Sequence, residues 1–464
     1  MRKILTVIGL IFKKLSASLL EQHLPRLFRL CLCLGVASQQ LTTRKAEIQP
    51  RFHSTLKLIR HAVFDRITEF FSTFDTYSFT GPELRMLFSA LIAPNMEKLP
   101  SEGVYSPSGL LQLCTCWAER SRFHPLLNIS MSSGATDESP LAAMTSLLAN
   151  ERSVASVRSA VIGAIHSMLT AEEEEGEEIT PILPTGTELK QLKMSSDYPS
   201  TIPFGTRLAL RYAPTILEYL QSSLNTGGKA SLKAKGRLSA LKNEELEILS
   251  RISEFVTDGN MSASLASLLL PYLELKALRT EDMQKKALVT LKHLVKNMTR
   301  LEETLMRRFC ALFSTLEFRS VRNELCAILH VITTVNGREG MRDLAKMASD
   351  MNAWDPKRVE EPDYNRRLSA YSNVNQKLSS DDENVSPETM TFLTHQCFFT
   401  IEKVEDISLR DSAGFCLQNV LQKLATSSTN SPSDNIAALE FTRWLVGKEV
   451  MRLLKRGIRS KIEV

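Results

Sequence analysis

This 464-residue sequence predicts an all-α fold of the solenoid type. Three observations carry that expectation. One apolar pattern recurs four times: Val157-Arg158 with Val161, Ile165 and Met168; Met283-Gln284 with Ala287, Leu291 and Leu294; Val321-Arg322 with Leu325, Leu329 and Ile332; Leu409-Arg410 with Ala413, Leu417 and Val420. Steps of 4, 4 and 3 keep one face of a 3.6-residue helix apolar. The start points advance by 126, 38 and 88 residues, near multiples of the period of about 40–47 residues of HEAT and armadillo helix pairs. Second, hydrophobic alternation with period 2 never persists, which argues against a sheet. Third, aromatics are only 7% and glycine and proline are sparse and clustered, a mix that favours helices. A helix pair of this kind buries its apolar face only by stacking on neighbours. The expected architecture is a HEAT/armadillo-like α-solenoid of stacked antiparallel helix pairs, interrupted by two flexible linkers.

The elements follow in order. An apolar run from Ile4 to Phe12 succeeds Arg2 and Lys3 and has the look of a signal-peptide core. Lys13 and Lys14 follow at once, no small-x-small cleavage site comes next, and a bilayer needs about 20 residues. A buried solenoid helix is therefore expected. Amphipathic spacing continues over 15–34, 52–74 and 82–92, with Gly81-Pro82 marking a helix start. A looser stretch, 94–108, precedes a helix at 109–120 that carries Trp117. A polar loop at 130–140 leads to the first repeat-like pair, 141–170, and residues 1–170 form the N-terminal helical repeats. The acidic cluster around Gly176 and the prolines and serines after it make 171–203 a solvated linker. A helical segment, 204–225, is followed by a Gly- and Lys-rich linker, 226–242. The C-terminal solenoid spans 243–464. Its helices fall at 243–257, 261–278, 281–297, 300–316, 319–335, 338–350, 363–378, 387–403 and 408–425, then a basic helix at 434–456.

The sequence carries no complete catalytic, nucleotide-binding or metal-binding motif. The stretch from Thr226 to Ser231 places Gly227, Gly228 and Lys229 like a phosphate loop. It lacks the first glycine and the hydroxyl after lysine, and no strand precedes it. Cys31-x-Cys33 and Cys114-x-Cys116 have a spacing that points two helical side chains to nearly opposite faces, so neither pair is expected to hold zinc. The eight cysteines read as reduced core residues of an intracellular protein. Cys326 and His330 lie four apart on one helix, but no oxyanion site accompanies them. No enzyme, cofactor or metal is expected, nor any membrane span or small-molecule substrate.

The net charge of +5 is mildly basic and permits contact with nucleic acid without requiring it. Near the C-terminus Lys448, Arg452, Lys455 and Arg459 follow steps of 4, 3 and 4, a stripe that can neutralise phosphates or simply suit a helix end. The Lys229 to Arg237 cluster could touch RNA backbone too. With no aromatic-basic stacking motif, such contacts read backbone rather than base sequence.

One segment is sharper than the rest: Trp354-Asp355-Pro356-Lys357-Arg358, then Glu361-Pro362-Asp363-Tyr364-Asn365-Arg366-Arg367-Leu368-Ser369-Ala370-Tyr371. It resembles the E-P-D-(F/Y)-x-x-R-L-x-A-(F/Y) stretch of the small-subunit processome component 20 family, also called down-regulated in metastasis. Leu24-Pro25-Arg26-Leu27-Phe28, the run from Phe64 to Phe74, and Gly205-Thr206-Arg207-Leu208-Ala209-Leu210 look similar to it as well. The resemblance implies a long HEAT-repeat protein of the nucleus and nucleolus. It would be a non-enzymatic scaffold associated with the U3 small nucleolar RNP, supporting pre-rRNA processing toward 18S rRNA and small ribosomal subunit biogenesis. Its partners would be pre-ribosomal particle proteins and, through backbone contacts, pre-rRNA or U3 RNA. This chain is much shorter than the family's members and reads as a fragment. The expected contact residues are Lys357, Arg358, Arg366 and Arg367, plus the C-terminal stripe, with Trp354 and Tyr364 pinning the connection to the solenoid. The alternative is a HEAT-type protein-binding adaptor, a transport receptor or phosphatase scaffold, with no RNA role.

Overall fold

The structure is a computed structural model that describes residues 1–74, 77–130, 139–171, 190–191, 199, 201–230, 243–274, 280–298, 303–336, 339–358, 361–379, 385–427, 443 and 447. The chain divides into two units, Met1–Phe255 and Val256–Val464. Both pack helix pairs in a solenoid-like manner, so the all-α expectation holds.

The first unit begins with α1 (Arg2–Lys14), the short α2 (Ala17–Leu20), α3 (Leu24–Thr43) and α4 (His53–Thr73). Helix α1 buries Leu5, Ile8 and Phe12 against α4 but leaves Ile4, Val7 and Leu10 exposed. The apolar run is thus buried along one face only. Phe12 meets Phe70 and Phe74 edge-on at 6.0 and 5.4 Å, and Phe28 of α3 lies 4.7 Å from Phe70. Aromatics are few in the sequence, yet here they are concentrated: Phe71 contacts Phe79, Trp117 and Phe123 within 5.4 Å. Burying each such ring contributes on the order of 1.5–3 kcal/mol.

Helix α5 (Gly81–Leu87) starts where Gly81-Pro82 predicts, in a capping box between Thr80 and Glu83. A π-helical turn, Phe88–Ile92, leads to α6 (Ala93–Met96) and α7 (Leu99–Glu102). Then come α8 (Gly109–Ala118), α9 (His124–Leu127), α10 (Pro140–Ala149), α11 (Ala155–Thr170), α12 (Phe204–Arg211), α13 (Ala213–Ala230) and α14 (Asn243–Ser253). Helices α4, α8, α11 and α14 stack in succession as one layer, and α7, α10 and α13 as the other. The recurring pattern at Val157 is the inward stripe of α11, with Val157, Val161, Ile165 and Met168 all buried. Strand β1 (Ile129–Ser130) pairs antiparallel with β2 (Lys190–Gln191), inside the segment expected to be linker. Helix α13 runs on to Ala230, so 226–230 is helical rather than linker; residues 231–242 lie outside the described residues. Helix α14, expected at the head of the C-terminal solenoid, packs on α11 and α13 instead.

The second unit comprises α15 (Gly259–Glu274), α16 (Glu281–Lys296), α17 (Glu303–Thr315), α18 (Arg319–Asn336), α19 (Glu339–Met351), α20 (Tyr364–Ser379), α21 (Pro387–Lys403) and α22 (Ile407–Ser427). The other three copies of the pattern fall on α16, α18 and α22. Helices α15, α17 and α21 form one layer. The opposite layer runs α16, α18, α19, α20, α22. The 88-residue advance from Val321 to Leu409 was expected to be two ordinary repeats. The helix count agrees, but α19 leaves its layer: it packs on α18 and α20, and α17 packs directly on α21. The second unit is therefore wider on one side, and the connection 352–363 spans that irregularity. The predicted helix at 434–456 lies outside the described residues.

Candidate partner-binding surface

The connection from Asn352 to Asp363 is built by short-range bonds. Trp354 and Pro362 form an antiparallel bridge; Asp355 N donates to Glu361 O at 3.0 Å and Asp363 N to Ala353 O at 3.1 Å. The Asp355 carboxylate accepts from the backbone N–H groups of Lys357 and Arg358, which turns the chain at Pro356. Asp363 accepts from Arg366 N and so starts α20. Trp354 lies beneath two guanidinium groups, with Arg319 Cζ 4.8 Å and Arg367 Cζ 5.1 Å from its ring centre. It does pin the connection. Tyr364, expected to do the same, is 42% exposed and does not.

The predicted contact residues separate in this geometry. Lys357 is exposed and has no ion pair among the described residues. Arg358 is exposed and pairs with Glu361 at 2.7 Å. Arg366 is exposed, but Asp350 accepts from both its Nε, at 2.8 Å, and its Nη2, at 2.7 Å. Arg367 is a correction: it is buried and donates Nε to Ala353 O at 2.8 Å, so its charge serves the connection rather than a partner. Burial lowers its pKa from the ordinary arginine value. Lys448, Arg452, Lys455 and Arg459 lie outside the described residues.

A groove of about 710 Å³ opens beside the connection, between α18 and α19. Arg319, Lys346 and Arg366 give it positive character against Asp350, and Asn323 and His330 add an amide and an imidazole. Of these only Arg366 was expected. Arg319 and Lys346 look like ordinary solvated charges in the sequence, and only folding brings them to one groove. Cys326 and His330 both line it, but burial pushes the Cys326 thiol up to about 11, so it supplies no thiolate near neutral pH. Among the described residues no group of three or more His, Cys, Asp or Glu side chains could hold a metal ion. Cys31 is buried and Cys33 exposed, on opposite faces of α3, while Cys114 and Cys116 are both buried.

Beneath the groove lies a buried cation. Arg322 is 3% exposed. Its Nη1 donates to Phe313 O and Leu316 O, both at 2.8 Å, its Nε to Asn352 Oδ1 at 2.8 Å and its Nη2 to Gln396 Oε1 at 2.7 Å. The guanidinium stacks over Phe399 at 3.5 Å. Burial lowers its pKa to about 9, still above neutrality, so a cation sits in the core with no carboxylate hydrogen-bonded to it among the described residues. The oxygens at the C-terminal end of α17 take that place, since unpaired carbonyls there carry the negative end of the helix dipole. The same position recurs: Arg158 donates to Asn150 O, the C-cap of α10, and Arg410 donates to Val404 O, the C-cap of α21. The arginine after the first apolar residue of the recurring pattern ties each helix to the end of the one before it. The signal was in the sequence, in the Arg of Val157-Arg158, Val321-Arg322 and Leu409-Arg410, but the pattern there reads as an apolar stripe alone.

This arrangement defines a class: a helical-repeat protein whose polar groups cap helices and line grooves. The sequence pattern described as U3 small nucleolar RNA-associated protein 20, N-terminal, matches residues 1–462, and the chain belongs to that family. A curated relative, U3 small nucleolar RNA-associated protein 20 of Schizosaccharomyces pombe (strain 972 / ATCC 24843), is 24% identical over 162 residues, covering 31% of this chain and 6% of the relative. The matched stretch is thus a small part of that relative's length. Among solved structures, an engineered protein is similar at a TM-score of 0.31 and 11% identity, covering 83% of this chain and 98% of its own.

Proposed function

We propose that this chain is a non-enzymatic scaffold in the small-subunit processome, acting in ribosome biogenesis in the nucleolus and supporting processing of pre-rRNA toward 18S rRNA. Family membership over residues 1–462 is the observation that carries this reading. The named relative is associated with U3 small nucleolar RNA, which supports a partner set of pre-ribosomal proteins and RNA. Among the described residues no helix is long and apolar enough to cross a membrane. Stacked helices offer extended surfaces for several neighbours at once. Lys357, Arg358 and Arg366, with the C-terminal stripe Lys448, Arg452, Lys455 and Arg459, are assigned to RNA-backbone or partner contacts; Arg367 is not.

The test is recovery of the tagged chain from nuclear extract, probed for U3 RNA and precursor ribosomal RNA across a salt series. Recovery of both, together with other pre-ribosomal proteins, is expected. Transport factors or a phosphatase recovered with no RNA at any salt would replace this reading with the adaptor one.

A further inference from the structure

A second cleft lies in the first unit, far in sequence from the connection just described. It encloses about 660 Å³ between α4 and the segment from Asn95 to Leu110. On the α4 side His53, Lys57, Arg60, His61 and Phe64 line it. Positions 53, 57 and 60 or 61 recur about once per helical turn, which sets His53, Lys57 and Arg60 about 5.4 Å apart along one face, with Phe64 a turn further on. Lys98 faces them from the opposite wall, and Glu102 is the one acid in the lining. Arg60 donates to Asn95 Oδ1 at 3.0 Å, whereas Lys57 and Lys98 have no ion pair among the described residues.

The opposite wall is held firmly. Val104 is buried and its carbonyl accepts from Val154 N at 2.9 Å. Asn150 Nδ2 donates to Pro100 O at 3.3 Å. Ser108 caps α8 through Leu111 N. Gly109 lies so close to α4 that a Cβ there would stand 2.6 Å from Phe64 Cβ, which fixes the loop on the helix. Between the Val104 anchor and the Ser108 cap stands Tyr105, which is 67% exposed and lines the cleft. An aromatic ring presented to solvent from a loop tied at both ends, beside unpaired lysines, has no role in the core.

We infer that this cleft binds single-stranded RNA, with a base stacked on Tyr105 and backbone phosphates held by Lys57, Arg60 and Lys98. Exposed aromatic faces with basic flanks suit this ligand because every base offers a π-face and every link a phosphate. An acidic peptide suits it less, since the face of an aromatic ring is electronegative and repels carboxylates. Thr42, Ser54, Ser101 and Ser106 line the cleft as well, and side-chain hydroxyls suit the ribose 2′-OH, the group that separates RNA from DNA. The inference deepens the RNA part of the reading above, and its failure is distinguishable from that reading's failure, because it is measured on the purified chain with no particle present.

The experiment is fluorescence anisotropy of a labelled oligouridylate of about 10 nucleotides, titrated with the 464-residue chain at about 50 to 200 mM salt. Tyr105→Ala is expected to weaken binding about 5- to 150-fold with the salt slope unchanged. Tyr105→Phe, which keeps the ring, retains binding. Lys57→Gln with Lys98→Gln lowers the slope of log affinity against log salt by about 1.4, at about 0.7 per phosphate contact. Lys14→Gln with Lys285→Gln, a matched loss of surface charge elsewhere, leaves both quantities unchanged. Circular dichroism verifies that each variant is folded. The inference is overturned if Tyr105→Ala binds like the parent chain, or if the Lys57 and Lys98 pair leaves the slope unchanged. It is also overturned if polyglutamate displaces the RNA from a site sensitive to the lysines but not to Tyr105.

Discussion

At the residue scale Arg322 decides most. One side chain bonds four oxygens, on α17 and α21 and on the residues that follow α17 and α19, and stacks on a fifth partner, Phe399. Hydrogen bonds from a charged donor contribute about 1.5–3 kcal/mol each in favourable cases, but burying the charge offsets much of that. Removing the donor leaves Phe313 O, Leu316 O, Asn352 and Gln396 without it in a buried place. Arg322→Met is therefore expected to destabilise the second unit by about 1–3 kcal/mol. Hydrogen exchange across α17, α18 and α21 reads the change locally, with faster exchange in all three. Arg322→Lys is expected to rescue little, because an ammonium cannot spread donors across the same plane as a guanidinium. Exchange in Arg322→Lys as slow as in the parent chain would contradict this account.

At the element scale the connection 352–363 joins α19 to α20 where the layers are uneven. It has one bridge, Trp354 to Pro362, and one anchor, the Trp354 ring beneath Arg319 and Arg367. Its exposed tip carries Lys357 and Arg358. Trp354→Ala removes both cation contacts, each worth about 0.5–2 kcal/mol. The expected outcome is faster trypsin cleavage after Lys357 and Arg358 with little change elsewhere, since cleavage follows the population of locally opened chain. Equal rates in both proteins would mean that the backbone bonds alone hold the segment. The capping arginines belong to this scale too. Arg158 and Arg410 use the same move as Arg322 in more exposed places, so their loss should cost less.

At the scale of the whole molecule, titration links the two units to one observable. Burial pushes the thiols of Cys31, Cys114 and Cys310 up to about 12 and those of Cys116 and Cys326 up to about 11, from an ordinary value of 9.0. A raised thiol contributes stability that is complete below pH 9 and is lost as pH climbs toward 11–12, because the unfolded chain gives up its protons first. Arg322 works the other way: its folded value is lowered from 12.5 to about 9, so its cost is relieved over that interval. Five thiols outweigh one guanidinium. Stability is expected to fall as pH rises above 9, with urea midpoints measured under reducing conditions as the check. A midpoint that rises between pH 9 and 11 would contradict the burial of these cysteines.

The sequence by itself determined the helices and their inward faces. A step of 4, 4 and 3 is a local property, and Val321, Leu325, Leu329 and Ile332 are all buried along α18 as that spacing requires. It also determined family membership, because Glu361-Pro362-Asp363-Tyr364 and its neighbours are a linear pattern. Only the tertiary structure decided which helices are neighbours. Nothing local says that α19 leaves its layer so that α17 meets α21, because that choice depends on how whole faces fit. The same reason separates the candidate residues: Arg366 and Arg367 are adjacent in sequence, yet one is exposed against Asp350 and the other buried against Ala353 O. Lys57 and Lys98 face one cleft across 41 residues of chain, and Tyr105 beside them is exposed because its loop is tied at Val104 and Ser108. Periodicity along a chain fixes which side of a helix is apolar; where a charge ends up depends on distant segments that arrive beside it.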